Sequence, residues 1–522
     1  MELRLFYKFL CLFSIFSCID AYKVLVSFSL PVRSLNLLGE GVVRHFLNAG
    51  HEVTYITAFP FKDPPKKNFR QVDASSTRKL FENFDLLNTA NIMQNDIQNS
   101  VYQVQTLGLE GAKAAFEDKN IRKLLEDPNE TFDVVIADLM ESELYTGLAA
   151  VFNCPMVWLY SMGAHSMALR LVDQPANPAY AADYLTGNVH PFSFAQRVDQ
   201  IWMHIQWYFL KWAVTMPKEE AVYNEFFGPL VAKRGRALPN YRELVYNASL
   251  MLSNEHYAMG NIPATPQNFK FIGGFHIEEP VKPLPKNLQT IMDNAKDGVI
   301  YFSMGSTWKS KDIPPPVTQE LLRMFGELKQ TVIWKYEEEL KNTPPNLHVV
   351  QWAPQNSILA HPNLLFFITH GGLLSSTEAL HFGVPVLGVP VFFDQFINVN
   401  KAILKGYAQM AKLDIHLADN LRPVIQEMLR NPKYKEKALE LSRIYHDRPV
   451  SPGQEMVHWV EHVVRTGGAP HLRSPALHMP VYQKIYLDFA IAILVIVVVL
   501  MKAAKLIFGK KEKKEIKKTK KN

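Results

Sequence analysis

The sequence predicts an α/β protein: two doubly wound, Rossmann-like domains facing each other across a cleft, followed by a C-terminal transmembrane helix. Three observations carry that expectation. Short apolar runs of buried-strand character alternate with helical patterns from Tyr22 onward, and the alternation restarts at Gly298. A stretch stiffened by three prolines, Glu279-Pro280-Val281-Lys282-Pro283-Leu284-Pro285, separates the two series. At 522 residues the chain is also too long for one ordinary domain.

In chain order, Met1 to Ala21 joins Arg4 and Lys8 to an apolar stretch, Phe9 to Ile19, and ends on a small residue. This reads as a cleavable signal peptide. Cys11 and Cys18 leave with it, so Cys154 is the only cysteine of the mature chain, a small buried residue beside a strand, and no intrachain disulfide is expected. Entry into the secretory pathway agrees with two glycosylation sequons, at Asn129 and Asn247. Residues 22–279 form the first domain. Tyr22 to Ser29 is a strand, Leu37, Leu38, Val42, Val43, Phe46 and Leu47 recur at helical spacing, and Glu52 to Thr57 is the next strand. No Gly-x-Gly-x-x-Gly loop joins them, so a dinucleotide site is not indicated. Further strands are expected at Phe132 to Ala137 and Pro155 to Tyr160, while the aromatic, helix-rich residues from about 170 to 265 resist placement.

After the linker, 280–285, the second domain and its stem occupy 286–484, with strands at Gly298 to Ser303, Thr331 to Trp334 and Leu347 to Val350. Ile485 to Phe508 is apolar on all sides and reads as the membrane span; the tail, 509–522, carries eight Lys against two Glu from Lys510 to Asn522. Those charges account for the whole formal net charge of +6, so a nucleic-acid surface is not supported. Lysines after the span place the tail in the cytosol and the domains in the lumen. The end, Lys518-Thr519-Lys520-Lys521-Asn522, reads equally as a positive stop-transfer flank or as a Lys-x-Lys-x-x retrieval signal of the endoplasmic reticulum membrane.

The most informative stretch is Val350 to Asn398. An apolar strand, Leu364 to Ile368, ends in Thr369-His370-Gly371-Gly372, and helix-compatible residues follow from Ser375 to His381. A strand, a glycine turn and a helix start leave backbone N–H groups free at a positive dipole end, which suits phosphate. A second short strand, Val384 to Val389, delivers Asp394 and Gln395, and Trp352 upstream offers a flat face. Together these suit a ring, a diphosphate and a polyol, the parts of a nucleotide sugar.

In order and spacing this stretch resembles the donor signature of the UDP-glycosyltransferases, and its Gly-Gly-Leu-Leu-Ser form resembles insect members. The likeness covers nearly the whole chain and is densest from Gly298 to Asn398. It implies a GT-B fold and inverting transfer of a sugar, glucose in the first instance, from a UDP-sugar to a small lipophilic or phenolic acceptor. By that resemblance Trp352 stacks on uracil and the Ala353 backbone reaches its edge. Gln355 and Glu378 hold the ribose hydroxyls. His370, Gly372, Ser375 and Ser306 attend the diphosphate, and Asp394 and Gln395 hold the sugar. No cofactor or metal is implied: the co-substrate is the UDP-sugar itself, with His370 and the helix end supplying positive potential.

The acceptor side departs from the pattern. The family's Asp matches Asp138, but the His that it orients as general base falls on Leu35, which cannot take a proton. Three readings stay open. The acceptor is acidic enough, a polyphenol or a carbon nucleophile, to need little base help; or another group serves, Asp138 itself or His165, with His45 and His51 poorer substitutes; or the chain binds UDP-sugar as a non-catalytic protein or partner subunit. Homo-oligomerisation is likewise left open.

Overall fold

The computed structural model of the protein describes residues 21–82, 93, 100–173, 176–260, 263–306 and 308–519. The expected signal peptide, except Ala21, lies outside them with Cys11 and Cys18, as does the end of the tail, 520–522. The first sheet is built from β1 (Lys23–Phe28), β2 (Glu52–Thr57), β3 (Phe69–Asp73), β4 (Val134–Asp138), β5 (Met156–Tyr160), β6 (Leu250–Ser253) and β7 (Phe269–Phe271). All its pairings are parallel, in the order β3-β2-β1-β4-β5-β6-β7. The second contains β8 (Val299–Ser303), β9 (Thr331–Lys335), β10 (Leu347–Val350), β11 (Leu364–Thr369), β12 (Val386–Gly388) and β13 (Ala408–Met410). It too is parallel, in the order β10-β9-β8-β11-β12-β13. In each sheet the order reverses beside the first strand, and it is there, beyond the carboxyl ends of the strands, that such folds place their clefts.

Central strands bury every residue, as β4, β5 and β8 do, because helices cover both faces. Edge strands β3 and β10 bury only one residue each. Helix α1 (Arg33–Asn48) lays Leu38, Val42 and Phe46 on Val24, Val26 and Phe28. Helix α2 (Phe194–Leu210), capped by Ser193, buries Gln200 and Trp207. In the second half, α3 (Leu373–His381) follows β11 and α4 (Gln395–Leu404) follows β12.

One segment crosses back. Helix α5 (Pro452–Arg465) buries Met456, Val460 and Val463 in the same core as Val24 and Leu38, and Glu461 Oε1 lies 3.1 Å from His51 Nε2. The sequence carried 286–484 as one domain and stem; α5 packs on the first sheet instead. Its apolar stripe shows that it must be covered, without showing by which sheet. The final helix, α6 (Leu487–Thr519), contains a 20-residue stretch, Leu487–Leu506, of mean hydropathy 2.6 with none of it buried. Among the described residues it is the one helix long and apolar enough to cross a membrane.

Candidate active site

A cleft open to solvent lies at the strand ends of both sheets. All ten residues that the sequence assigned to the donor line it: Ser306, Trp352, Ala353, Gln355, His370, Gly372, Ser375, Glu378, Asp394 and Gln395. Leu35 lines the opposite wall; Asp138 and His165 do not reach the surface of the cleft.

The phosphate-type turn is built around the His370 ring. A Cβ at Gly305 would stand 2.6 Å from its Cε1, and one at Gly372 would stand 2.5 Å from its Nε2. Gly305 also adopts φ +81°, a region that costs other residues strain. The imidazole is thus gripped between two backbones that only glycine permits. Gly372 caps α3 without any side-chain hydrogen bond, so the helix's first N–H groups have no side-chain acceptor. Burial holds the His370 pKa down at about 4, with nearby Lys335 adding to the effect. At neutral pH His370 is therefore a neutral hydrogen-bond donor, and the expectation that it supplies positive potential is corrected. The cation is Lys335, at the end of β9, which sequence reasoning passed over. Its Nζ donates to Gly305 O at 2.8 Å and to Glu337 Oε1 at 2.7 Å, and it stands 5.9 Å from the Trp352 ring centre. A lysine closing a buried strand was the available signal.

Trp352 is 59% exposed, a free flat face. Behind it Gln355 Nε2 donates to Glu378 Oε2 at 2.5 Å and to Ser375 Oγ at 3.1 Å, and Tyr301 Oη donates to Gln355 Oε1 at 3.3 Å. The other Glu378 oxygen lies 3.3 Å from Nε2 of His276, a residue following β7. That contact spans the two halves of the molecule and left no local trace in the sequence. Gln395 Oε1 accepts from the Val391 and Phe392 amides at 2.8 and 3.1 Å, which leaves its amide nitrogen as the group for a ligand. Asp394 Oδ2 accepts from Asn398 Nδ2 at 2.8 Å, and burial raises the Asp394 pKa.

On the other wall, strand alternation turns Val134, Ile136 and Asp138 toward α1 and the core that contains Leu35. Asp138 is 5% exposed and its Oδ1 has no hydrogen-bond partner among the described residues. Burial pushes its pKa up to about 8, against the opposing influence of the Ser161 hydroxyl and the Met140 amide. The unfolded value is lower, so across the window from about 4 to about 8 the folded state retains a proton that the unfolded chain has lost. Stability should decline as pH rises through that window. Asp138→Asn should remove this component, so that the variant gains on the wild type by on the order of several kcal/mol between pH 5 and pH 8. Denaturant melts of both at the two pH values check it; a constant difference would refute it.

His165 is excluded as a substitute base. It caps a short helix, its Nδ1 accepting from Met167 N at 3.4 Å, and its Nε2 lies 2.9 Å from Asp183 Oδ2. The ring is packed by Tyr184 and Trp207, so neither nitrogen is available to the cleft. His45 and His51 are also engaged, with Phe275 O at 2.8 Å and with Glu461. The two sequon residues, Asn129 and Asn247, are both exposed.

Two facing parallel-sheet halves with a ring-and-anion wall define the GT-B class of glycosyltransferase. The calicheamicin glycosyltransferase CalG4 superposes with a TM-score of 0.55 at 18% identity, over 86% of this chain and all of that one. The UDP-glucuronosyl and UDP-glucosyl transferase family matches residues 27–522, and the chain belongs to that family. It is 31% identical to UDP-glucosyltransferase 2 of Dactylopius coccus, over 95% of this chain and 94% of the relative. It is 30% identical to UDP-glucuronosyltransferase 2C1 of Oryctolagus cuniculus, over 72% and 73%. The protein is a glycosyltransferase enzyme, of the kind that moves a sugar from a UDP-sugar to an acceptor.

Proposed function

We propose that the enzyme transfers glucose from UDP-glucose, with inversion and without a metal, to small lipophilic acceptors whose nucleophilic atom is an acidic hydroxyl or a carbon. The observation that carries the donor half is the Gln355–Glu378–His276 arrangement beside Trp352 and the His370 turn. Trp352 stacks on uracil, which is worth about 1–3 kcal/mol for a base on an aromatic ring. Glu378 accepts from the ribose hydroxyls, and Gln355 orients it. His370, the α3 amides, Ser306 and Ser375 take the diphosphate, with Lys335 turning from Glu337 to the new anion. Asp394 and the Gln395 amide hold the sugar.

The acceptor half rests on Leu35. With an aliphatic side chain at the wall and Asp138 covered and holding its proton at neutral pH, an already acidic acceptor, which needs least base help, is the one favoured. Tyr184, Leu107 and Met140 make the rest of that wall apolar enough for lipophilic partners. The leader, the sequons and α6 support a glycoprotein anchored once in the endoplasmic reticulum membrane, with catalytic domains luminal and the lysine tail cytosolic.

A second reading, binding of UDP-sugar without transfer, is favoured by the same Leu35 and by the covered Asp138. The decisive assay uses the full-length protein, UDP-glucose and other UDP-sugars, and a panel of phenols and carbon acids in the presence of EDTA. UDP release with a glucosylated product supports the proposal. UDP binding with no turnover across the panel establishes the second reading, and activity lost on adding EDTA overturns the metal-free mechanism.

A further inference from the structure

The residue before Asp394 is an aromatic in a conformation that aromatics seldom take. Phe393 has φ +54°, in the left-handed region, which is strained for a bulky side chain and persists only where its surroundings fix it. Both flanks of the turn are fixed. Gln395 Oε1 accepts from the Phe392 amide at 3.1 Å, and Asp394 Oδ2 accepts from Asn398 Nδ2 at 2.8 Å. The Phe392 ring is buried in the core of the second half, and the Phe393 ring stands almost perpendicular to it, at 87° and 4.9 Å between centres. Phe393 packs on two clusters at once. One is that core, with Trp308 and Val391; the other is supplied mostly by the first half, through Val104, Tyr184 and Trp207.

We propose that the Phe393 ring determines acceptor specificity: it closes the acceptor wall at its sugar end and so limits the size of the acceptor. The inference rests on the acceptor and sugar sides assigned under the proposed function. Phe393, Val104 and Tyr184 line the cleft together, and Asp394, the next residue, is the one assigned to the sugar. An attacking atom has to come within about 3–3.5 Å of the carbon it attacks, so the body of the acceptor has to lie beside this ring. Glycine would make the same turn without strain. What Phe393 adds is therefore bulk, placed where the two halves meet beside the reacting atoms. A ring that fills that space admits narrow acceptors and excludes wide ones.

The test uses the full-length protein, UDP-glucose and three phenols of increasing width: 4-nitrophenol, 1-naphthol and 1-hydroxypyrene. Phe393→Gly keeps the turn and removes the ring, while Phe393→Leu keeps most of the bulk. The ratio of kcat/KM for 1-hydroxypyrene to that for 4-nitrophenol should rise about tenfold or more in F393G, mainly through KM, and stay within about twofold of wild type in F393L. UDP binding, measured by calorimetry, should be the same in all three proteins. An unchanged ratio in F393G with UDP still bound overturns the proposal. So does an equal rise in F393L, which would trace the effect to the loop and not to the volume of the ring. Loss of UDP binding in F393G places the ring in the donor site and overturns it too. Wild-type protein that binds UDP yet turns over none of the three phenols overturns the acceptor reading instead, and the proposal with it.

Discussion

Leu35→His is expected to raise turnover of weakly acidic alcohol acceptors by about 10²–10⁴, the usual contribution of a positioned general base. Leu35 is the third residue of α1 and lines the cleft, while the buried Asp138 carboxyl faces the same core with Oδ1 unpartnered. An imidazole at position 35 gives that oxygen an N–H to accept, which fixes the tautomer and presents the other nitrogen to the acceptor. The pairing also opposes the effect of burial, so Asp138 should ionise at lower pH. Acidic phenols, already partly deprotonated, should gain least. Kinetics across acceptors of graded acidity check the expectation, and Leu35→His combined with Asp138→Asn should lose most of the gain. An equal gain with and without Asp138 would remove Asp138 from the positioning role.

Glu378→Ala is expected to lower kcat/KM for the UDP-sugar by about 10²–10³, mostly through KM, since hydrogen bonds to a charged acceptor are worth roughly 1.5–3 kcal/mol each. The loss has a second component. Gln355 donates to Glu378, and His276 reaches it from the other half of the molecule, so removing the carboxylate also frees the groups that shape the pocket. Steady-state kinetics, with UDP binding measured by calorimetry, should show both parameters worsening together. UDP affinity unchanged from wild type would place the ribose elsewhere.

The donor wall was legible because its parts are contiguous: strand, glycine turn and helix start fall within β11 and α3, and the strand is buried on both faces. Strands β2 and β10 were also legible to the residue, from short runs rich in β-branched and apolar residues. Strand β12 falls inside the expected Val384 to Val389, whereas β7 and β13 have only three residues each, too short for any period to show. His276 enters the site through a tertiary contact that no local pattern announces, and Lys335 was marked only by its place at the end of a buried strand. His370 was correctly placed but its charge was misread, since burial is a property of the folded state. His165 looked available because a helix-capping imidazole and a catalytic one are the same letter.

The return of α5 to the first sheet means that the backbone passes between the two halves twice, once after β7 and once before α5. A door hung on one pin swings and twists; hung on two, it turns only about the line that joins them. Opening and shutting around a substrate then reduces to one angle, which a single pair of spectroscopic labels across the gap can follow.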